Sequence, residues 1–453
     1  MLLSPGHDLA IQMGNSAMPD TAQPNEFGVE KGPKSPPVFA VGNIGDLADM
    51  ENYRHGHPAE LYARLRREAP VYWNDEIWDW EPGFWAMTRY DDVVAVSKNP
   101  TVFSSEVGGH QITYGDPRRI DPKFTAAVLG NMIAMDPPLH QTYRKMAAPA
   151  FTPKALKKLD ANLRRRIDGI VDAIAPKGEA EFVTQVSELV PIYTLADLLG
   201  VPEADRPKLI DWTNKLIAAY DPTSPYLEGT DPETLTNETG MALFQYGAWL
   251  FAQRKAEPRD DLMSVMAHAE PDGDPIPLQY LNGFFLLMVI AGNETTRNTI
   301  AGMQLLLSRN PGERAKLLCD RALLPNAVQE ALRLVAPVIH FRRTATTDTE
   351  IRGQKIAAGE KVVMWYGAAN RDEDVFDDPE RFDIARPNAD KHLAFGIGEH
   401  FCLGSRLGLM QIEAVYQALL ARLPDMEVAG EPEYVGSNFI SGIRRLPVRF
   451  TPA

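Results

Sequence analysis

Apolar residues recur every three to four positions over several long stretches of this chain and alternate over only a few short ones. From Pro58 to Pro70 the period is helical, with Leu61 and Leu65 on one face. Val71-Tyr72-Trp73 and Gly83-Phe84-Trp85-Ala86-Met87-Thr88 read instead as two short strands of a small sheet. Beyond Asp92 the pattern turns predominantly helical, in amphipathic segments separated by Pro and Gly. These are Pro153 to Ile174, Val183 to Leu199, Thr236 to Ala256, Pro277 to Leu307, Ala322 to Val335 and Leu407 to Leu423. Short strands return near Glu350 to Ile356, at Lys361 to Tyr366 and at Pro447-Val448-Arg449-Phe450. The expected fold class is mainly α with small β-sheets. Residues 1–37, rich in Gly, Pro, Asn and Ser, read as a flexible N-terminal tail, and residues 38–453 as one domain.

Composition narrows the class. In 453 residues, 44% hydrophobic and 24% charged content is ordinary for a soluble globular protein. No uncharged apolar run reaches the roughly 18 residues a membrane-spanning helix needs, and the first residues lack the basic start and apolar run of a secretory signal. Two cysteines, Cys319 and Cys402, argue against a disulfide framework and suit a reducing cytoplasm. Cys319 sits in a helical pattern and reads as structural. A net charge of −15 disfavours nucleic acid and anionic membrane as partners. No Gly-x-Gly-x-x-Gly follows a strand, so the chain shows no flavin or nicotinamide domain of its own.

Four constellations carry candidate chemistry. In Phe395-Gly396-Ile397-Gly398-Glu399-His400-Phe401-Cys402-Leu403-Gly404 a cysteine lies in a glycine-punctuated loop that runs into an apolar helix. A thiolate beside a helix N-terminus is stabilised by the dipole and by unpaired backbone N–H groups, and the glycines let the backbone pass close to a large flat object. Such a thiolate can be an axial ligand to haem iron; a lone buried cysteine acting as a small hydrophobe is the commoner alternative. In Ala291-Gly292-Asn293-Glu294-Thr295-Thr296, Gly and two threonines fall in mid-helix, where all three cost helix propensity. A Thr hydroxyl there can bond back to a preceding carbonyl and bend the helix. An acid beside an alcohol can relay the protons that dioxygen reduction consumes. Glu330-Ala331-Leu332-Arg333 places an acid and a base at i, i+3, which alone says little. Asp136-Pro137-Pro138 opens a helix carrying His140 and Arg144 on one side; an Arg fork with a His donor suits a carboxylate, and a solvated basic face suits it equally.

The ten-residue cysteine loop resembles the signature of the cytochrome P450 family. The central-helix motif, Glu-x-x-Arg, Pro379-Glu380-Arg381-Phe382 and His-x-x-x-Arg follow that family's order and spacing, and the resemblance runs from about Ala59 to the C-terminus. Met135-Asp136-Pro137-Pro138, Arg343-Thr344-Ala345 and Ala369-Asn370-Arg371-Asp372-Glu373 look like a bacterial subgroup that includes the α-terpineol hydroxylase. The resemblance implies a single haem-thiolate monooxygenase domain, with haem b buried between the long central helix and the cysteine loop. Cys402 would be the iron ligand, framed by Phe395, Gly396 and Gly404. Thr295 and Glu294 would handle proton delivery, and Ala291 with Gly292 would lie over the haem face. His140, Arg144, Arg343 and His400 would hold the propionates, with Arg342 and His392 as lesser neighbours. Glu330, Arg333 and Arg381 would form a buried structural brace.

The implied reaction is insertion of one oxygen atom from O2 into a substrate, with electrons from a separate ferredoxin and an NAD(P)H-dependent ferredoxin reductase. Arg406, Lys145 and Arg144 offer a basic patch for that partner. The segments that form the family's pocket walls here contain Phe103, Val107, Ile112, Leu287, Met288, Val338, Ile339 and Phe439. They point to a small or medium hydrophobic substrate, a terpenoid or aromatic hydrocarbon, with fatty-acid, alkane or steroid hydroxylation as the alternative. A peroxygenase would not need the intact acid–alcohol pair, and a haem-binding sensor without turnover would not need the relay.

Overall fold

The computed structural model describes residues 32–39, 42–76 and 81–453. Residues 1–31 of the expected tail lie outside the described residues. Within it, the Lys34 backbone N–H donates to Glu360 Oε1 (2.8 Å) and Lys34 Nζ to the Ala358 carbonyl (2.8 Å).

Helix boundaries follow capping chemistry where the apolar period is clean. The helix Pro153–Ile174 has the bounds its pattern predicts. Thr152 accepts from the Ala155 N–H, Pro153 occupies the first turn, and Leu156, Leu163, Ile167, Ile170, Val171 and Ile174 are buried along one stripe. The helix expected from Thr236 starts earlier, as Pro232–Ala256, because Asp231 caps it through the Thr234 N–H and its first turn is polar. The segment expected as one helix from Val183 begins with a π-turn, Val183–Ser187, before the helix Leu189–Leu199. The Glu188 N–H bonds the Val183 carbonyl across that turn. The longest helix, Leu278–Arg309, has 32 residues and at 1.5 Å per residue spans about 48 Å.

The main sheet has five strands in the order Val71–Asn74, Phe84–Met87, Lys361–Trp365, His340–Ala345, Phe103–Ser104. Phe84–Met87 and Lys361–Trp365 run parallel, Trp85 facing Val362; the other pairs are antiparallel. The region near Glu350 to Ile356 is a hairpin of Thr349–Ile351 and Gln354–Ile356, with Arg352 and Gly353 at positive φ in its turn. Pro447–Arg449 pairs with Glu179–Glu181 and Glu427–Val428 in a three-stranded sheet.

One buried ionic brace joins the helix Leu324–Val335 to the segment that leads to the cysteine loop. Glu330 and Arg333 are both fully buried. Arg333 grips both oxygens of Glu330, Nε to Oε2 at 2.7 Å and Nη2 to Oε1 at 2.8 Å. Its Nη1 donates to the carbonyls of Asn370 and Pro379. The second guanidinium on Glu330 is that of Arg386, Nε to Oε1 at 2.9 Å, which also reaches the carbonyls of Asp377, Asp378 and Arg381. Arg381 itself does not join through its side chain, which is 55% exposed and faces Asp383 at 3.8 Å. It contributes its carbonyl. The neighbouring Phe382 is buried in the main core and turns its side chain inward, so the preceding side chain points out. Asn370 extends the brace, its Oδ1 accepting from the Leu393 N–H just ahead of the cysteine loop.

Arg386→Ala should therefore cost about 3–5 kcal/mol of stability, since it strips one cation from a buried carboxylate. Arg381→Ala should cost less than about 1 kcal/mol. Urea unfolding of the two variants side by side checks this; matching midpoints would remove Arg386 from the brace.

Candidate functional site

The cysteine loop is held open by its own backbone. Gly396 and Gly398 adopt φ of +67° and +76°, the left-handed region that glycine enters freely. A side chain at Gly398 would also strike the Ser97 carbonyl at 2.8 Å. The Cys402 N–H donates to the Phe395 carbonyl (2.8 Å), closing the loop, and the helix Ser405–Arg422 starts directly after it. Burial pushes the Cys402 thiol up, and the Gly404 N–H, the Arg144 charge and the Ser405 N–H oppose that by favouring the thiolate. A Cβ at Gly404 would meet nothing closer than Phe151 at 4.0 Å, and one at Gly396 nothing closer than the His400 carbonyl at 3.7 Å.

Opposite lies the central helix. Its middle is buried except where Ala291, Gly292 and Thr295 open on a cavity. Thr295 Oγ1 donates back to the Ala291 carbonyl (2.9 Å), as its mid-helix position predicts. Glu294 is buried and absent from that cavity's walls. Its Oε1 accepts from Arg297 Nη1 (3.2 Å) and Asn293 Nδ2 (3.4 Å). Arg297 Nη1 is shared with Glu188 (3.0 Å) and Asn214 (2.6 Å). Burial pushes the Glu294 carboxyl up, Arg297 pulls it down and Glu188 adds to the rise.

A cavity lies between loop and helix. His140, Arg144, Arg343 and His400 all reach its wall. Arg343 is 3% exposed, and its recorded hydrogen bond goes to the Arg342 carbonyl. Among the described residues no carboxylate pairs with Arg343 or Arg144. His140 Nδ1 is buried without a partner, and its ring centroid lies 4.2 Å from that of His400 with the planes tilted by 41°. Ser105 Oγ lies 3.1 Å from His400 Nε2. His400 is held down to about 2, first by burial and then by Arg343, His140, His110 and Arg144. Buried cations without counter-charge are costly, and a ligand bearing two carboxylates relieves that cost. A thiolate donor, an open glycine wall facing a small-residue helix surface, and unmatched cations together fit haem b. Arg144 also donates to the Phe401 carbonyl (2.6 Å), beside Cys402. Arg342 and His392 stay off the cavity. Arg342 follows the opposite face of its strand, and His392 is bound to Gln329 Oε1 (2.9 Å).

A second cavity shares Ile133, Leu287, Ala291, Thr295, Val338 and Phe341 with the first, and Glu294 and Phe439 line it. Met288 lines only the first. Phe103, Val107, Ile112 and Ile339 line neither cavity. Phe103 pairs with Ala345 at the sheet edge and packs into the core around Trp85 and Met364. Val107 is 51% exposed, held by its carbonyl to Thr344. Ile112 and Ile339 belong to the core around Trp365. Residues not foreseen include Phe341, Ile217 and Tyr220. Phe341 and Arg343 stand at i, i+2 on one strand, a parity that was readable in the sequence. Ile217 and Tyr220 close the cavity from the helix Arg206–Ala218 and the turn after it, which no local pattern assigns to the site.

The family model described as Cytochrome P450 matches residues 234–424. Linalool 8-monooxygenase of Pseudomonas putida is 38% identical over 90% of this chain and 99% of its own. The methyl-branched lipid omega-hydroxylase of Mycobacterium tuberculosis is 38% identical over 91% of this chain and 94% of its own. The structure of Mycobacterium marinum cytochrome P450 CYP268A2 in complex with pseudoionone superposes with a TM-score of 0.81 at 39% identity, covering 87% of this chain and 94% of that one. With a fold, a cysteine loop and a cationic cleft suited to haem b already in place, near-full-length identity at this level settles the matter: the chain belongs to the cytochrome P450 family and is a haem b monooxygenase.

Proposed function

We propose that this monooxygenase oxidises a small or medium-sized neutral hydrophobic molecule, a terpenoid before an aromatic hydrocarbon. Its electrons would come from a separate ferredoxin and an NAD(P)H-dependent reductase, in the cytoplasm. The observation that carries the substrate class is the second cavity. It adjoins the first through Ala291 and Thr295, and apolar residues such as Ile133, Leu287, Val338 and Phe439 dominate its walls. Linalool in one relative's name and pseudoionone in one related structure support the terpenoid choice. A relative of equal identity that hydroxylates methyl-branched lipids supports the second reading, a fatty-acid, alkane or steroid substrate. Exposed Lys145, Arg406 and Phe401 on the cysteine-loop face support docking of an acidic ferredoxin. No described helix is long and apolar enough to cross a membrane.

When bound, haem b supplies the oxidation, with two electrons, two protons and O2 yielding one inserted oxygen atom and one water. In this reading Cys402 would hold the iron through its thiolate, a charge that the Gly404 and Ser405 N–H groups and Arg144 favour and burial opposes. His140, Arg144, Arg343 and His400 would hold the propionates. The Thr295 hydroxyl has its own proton committed to the Ala291 carbonyl, so its lone pairs face the cavity to accept and position a water. Glu294 delivers a proton only after its carboxyl leaves Arg297, because the ion pair turns it from the cysteine side.

In the reduced protein under carbon monoxide, the shifted Soret band of a thiolate-ligated ferrous haem should form, and Cys402→Ala should abolish it. A histidine-type band in the parent would overturn the ligand assignment. Thr295→Ala should retain the band while product formed per reducing equivalent falls about ten-fold or more, with peroxide as the by-product; fully coupled turnover would refute the role of Thr295. Terpenoids should perturb the haem spectrum more strongly than arenes, fatty acids or steroids in a titrated panel. A response confined to long-chain acids would transfer the assignment to the lipid reading.

A further inference from the structure

Four polar residues in the wall of the second cavity form one connected cluster: His110, Gln111, Tyr114 and Tyr220. Its hydrogen bonds have a direction. The Tyr114 oxygen accepts from the backbone N–H of His110 (2.8 Å) and, more weakly, from that of Gln111 (3.4 Å). Its own proton then goes to His110 Nδ1, 3.2 Å away. That leaves the proton of the neutral imidazole on Nε2. The ring stays neutral because burial, with Arg343, His340 and Arg342 around it, holds His110 down to about 3. The Tyr220 hydroxyl donates to Gln111 Oε1 (2.7 Å), which fixes the carboxamide with its NH2 group turned away from Tyr220. Tyr220 is itself set by its ring contact with Phe439, centroids 5.6 Å apart.

Among the described residues no protein group accepts from His110 Nε2 or Gln111 Nε2. Two neutral donors thus belong to residues of this mostly apolar wall, which also carries Asn131, Thr236, Glu294 and Thr295 but neither Arg nor Lys. The carboxyl in that wall, Glu294, is already paired with Arg297 (3.2 Å), so the wall offers an incoming anion no free cation. An unmet donor in a desolvated site costs more than its hydrogen bond returns in water, so the site discriminates for a ligand atom that accepts without carrying charge.

We propose that the substrate carries a neutral oxygen acceptor, a carbonyl or hydroxyl group, held by His110 Nε2 and Gln111 Nε2, with its hydrocarbon part along the apolar walls beside Ala291 and Thr295. This rests on the second cavity being the substrate's. A pure hydrocarbon leaves both donors unmatched, and a carboxylate finds no Arg or Lys in the wall to pair with.

The test titrates the full-length haem-loaded protein with matched pairs and follows the Soret shift. The pairs are linalool against myrcene, 1-dodecanol against 1-dodecene, and cholest-4-en-3-one against cholest-4-ene. Within whichever pair binds, the oxygenated member should bind about ten-fold tighter or more. Gln111→Leu, close in volume, should bring that ratio below about three-fold, weakening the oxygenated member and tightening the hydrocarbon, which no longer strands that donor. Tyr220→Phe, which frees the carboxamide to turn, should lower the ratio part-way. The carbon monoxide band of each variant shows that its haem site is intact. Equal affinities in the parent, or a ratio that Gln111→Leu does not move, would overturn the inference. A preference seen only in the chain or sterol pair would uphold it and displace the terpenoid reading; no response from any pair would overturn both.

Discussion

A carboxylate that sees no water sets the terms for the rest of this structure. Glu330 is fully buried, and so is Arg333, its bidentate partner one helical turn away. A single buried pair at that spacing could satisfy itself. Here Arg386 adds a second guanidinium, and the two arginines spread their remaining donors over the carbonyls of residues 370, 377, 378, 379 and 381. The chain between the sheet and the cysteine loop has little regular structure of its own, so those donors satisfy backbone oxygens that would otherwise be buried without partners. Buried charge is weak evidence for stability but constrains geometry strongly, and its geometry is passed through Asn370 to Leu393 and the loop that presents Cys402.

Around the cleft the same physics is left incomplete. Arg343 is buried without a carboxylate partner among the described residues and His140 Nδ1 without a hydrogen-bond partner, while Glu330 and Glu294 are matched. Charge in the brace is neutralised, whereas the Arg343 guanidinium at the cleft has no carboxylate partner among the described residues. Glu294 lies between these cases. Its ion pair with Arg297 belongs to a network reaching Glu188 and Asn214, which ties the proton-bearing part of the central helix to the helices that roof the second cavity. The site's acid therefore depends on packing far from the cysteine loop.

Much of this was legible in one dimension. The helix Pro153–Ile174 was readable to the residue because its cap, its proline and its apolar stripe agree. The cysteine loop was legible because positive φ at Gly396 and Gly398 and a helix start leave their marks in residue type. The brace was half legible: Glu330 and Arg333 are neighbours on one helix, whereas Arg386 is brought in by the tertiary fold and Arg381 is turned out by the burial of Phe382. Four of the residues expected to line the pocket went into the sheet core or to the surface. An apolar side chain carries no label saying whether it faces a cavity or a neighbour.

By itself, then, the sequence determined what is carried by local chemistry: the helical architecture, the thiol in its glycine loop, the mid-helix Thr295 bonding back to Ala291, and the basic residues meant for an acidic cofactor. Only the tertiary structure decided which arginine completes the brace, that Glu294 is clamped by Arg297, and that His110 and Gln111 meet Tyr220 at one wall. The physical reason is range. Caps, turns and i, i+4 bonds act within a few residues and are written in them, whereas a cavity wall is assembled from segments more than a hundred residues apart, as Gln111 and Tyr220 are.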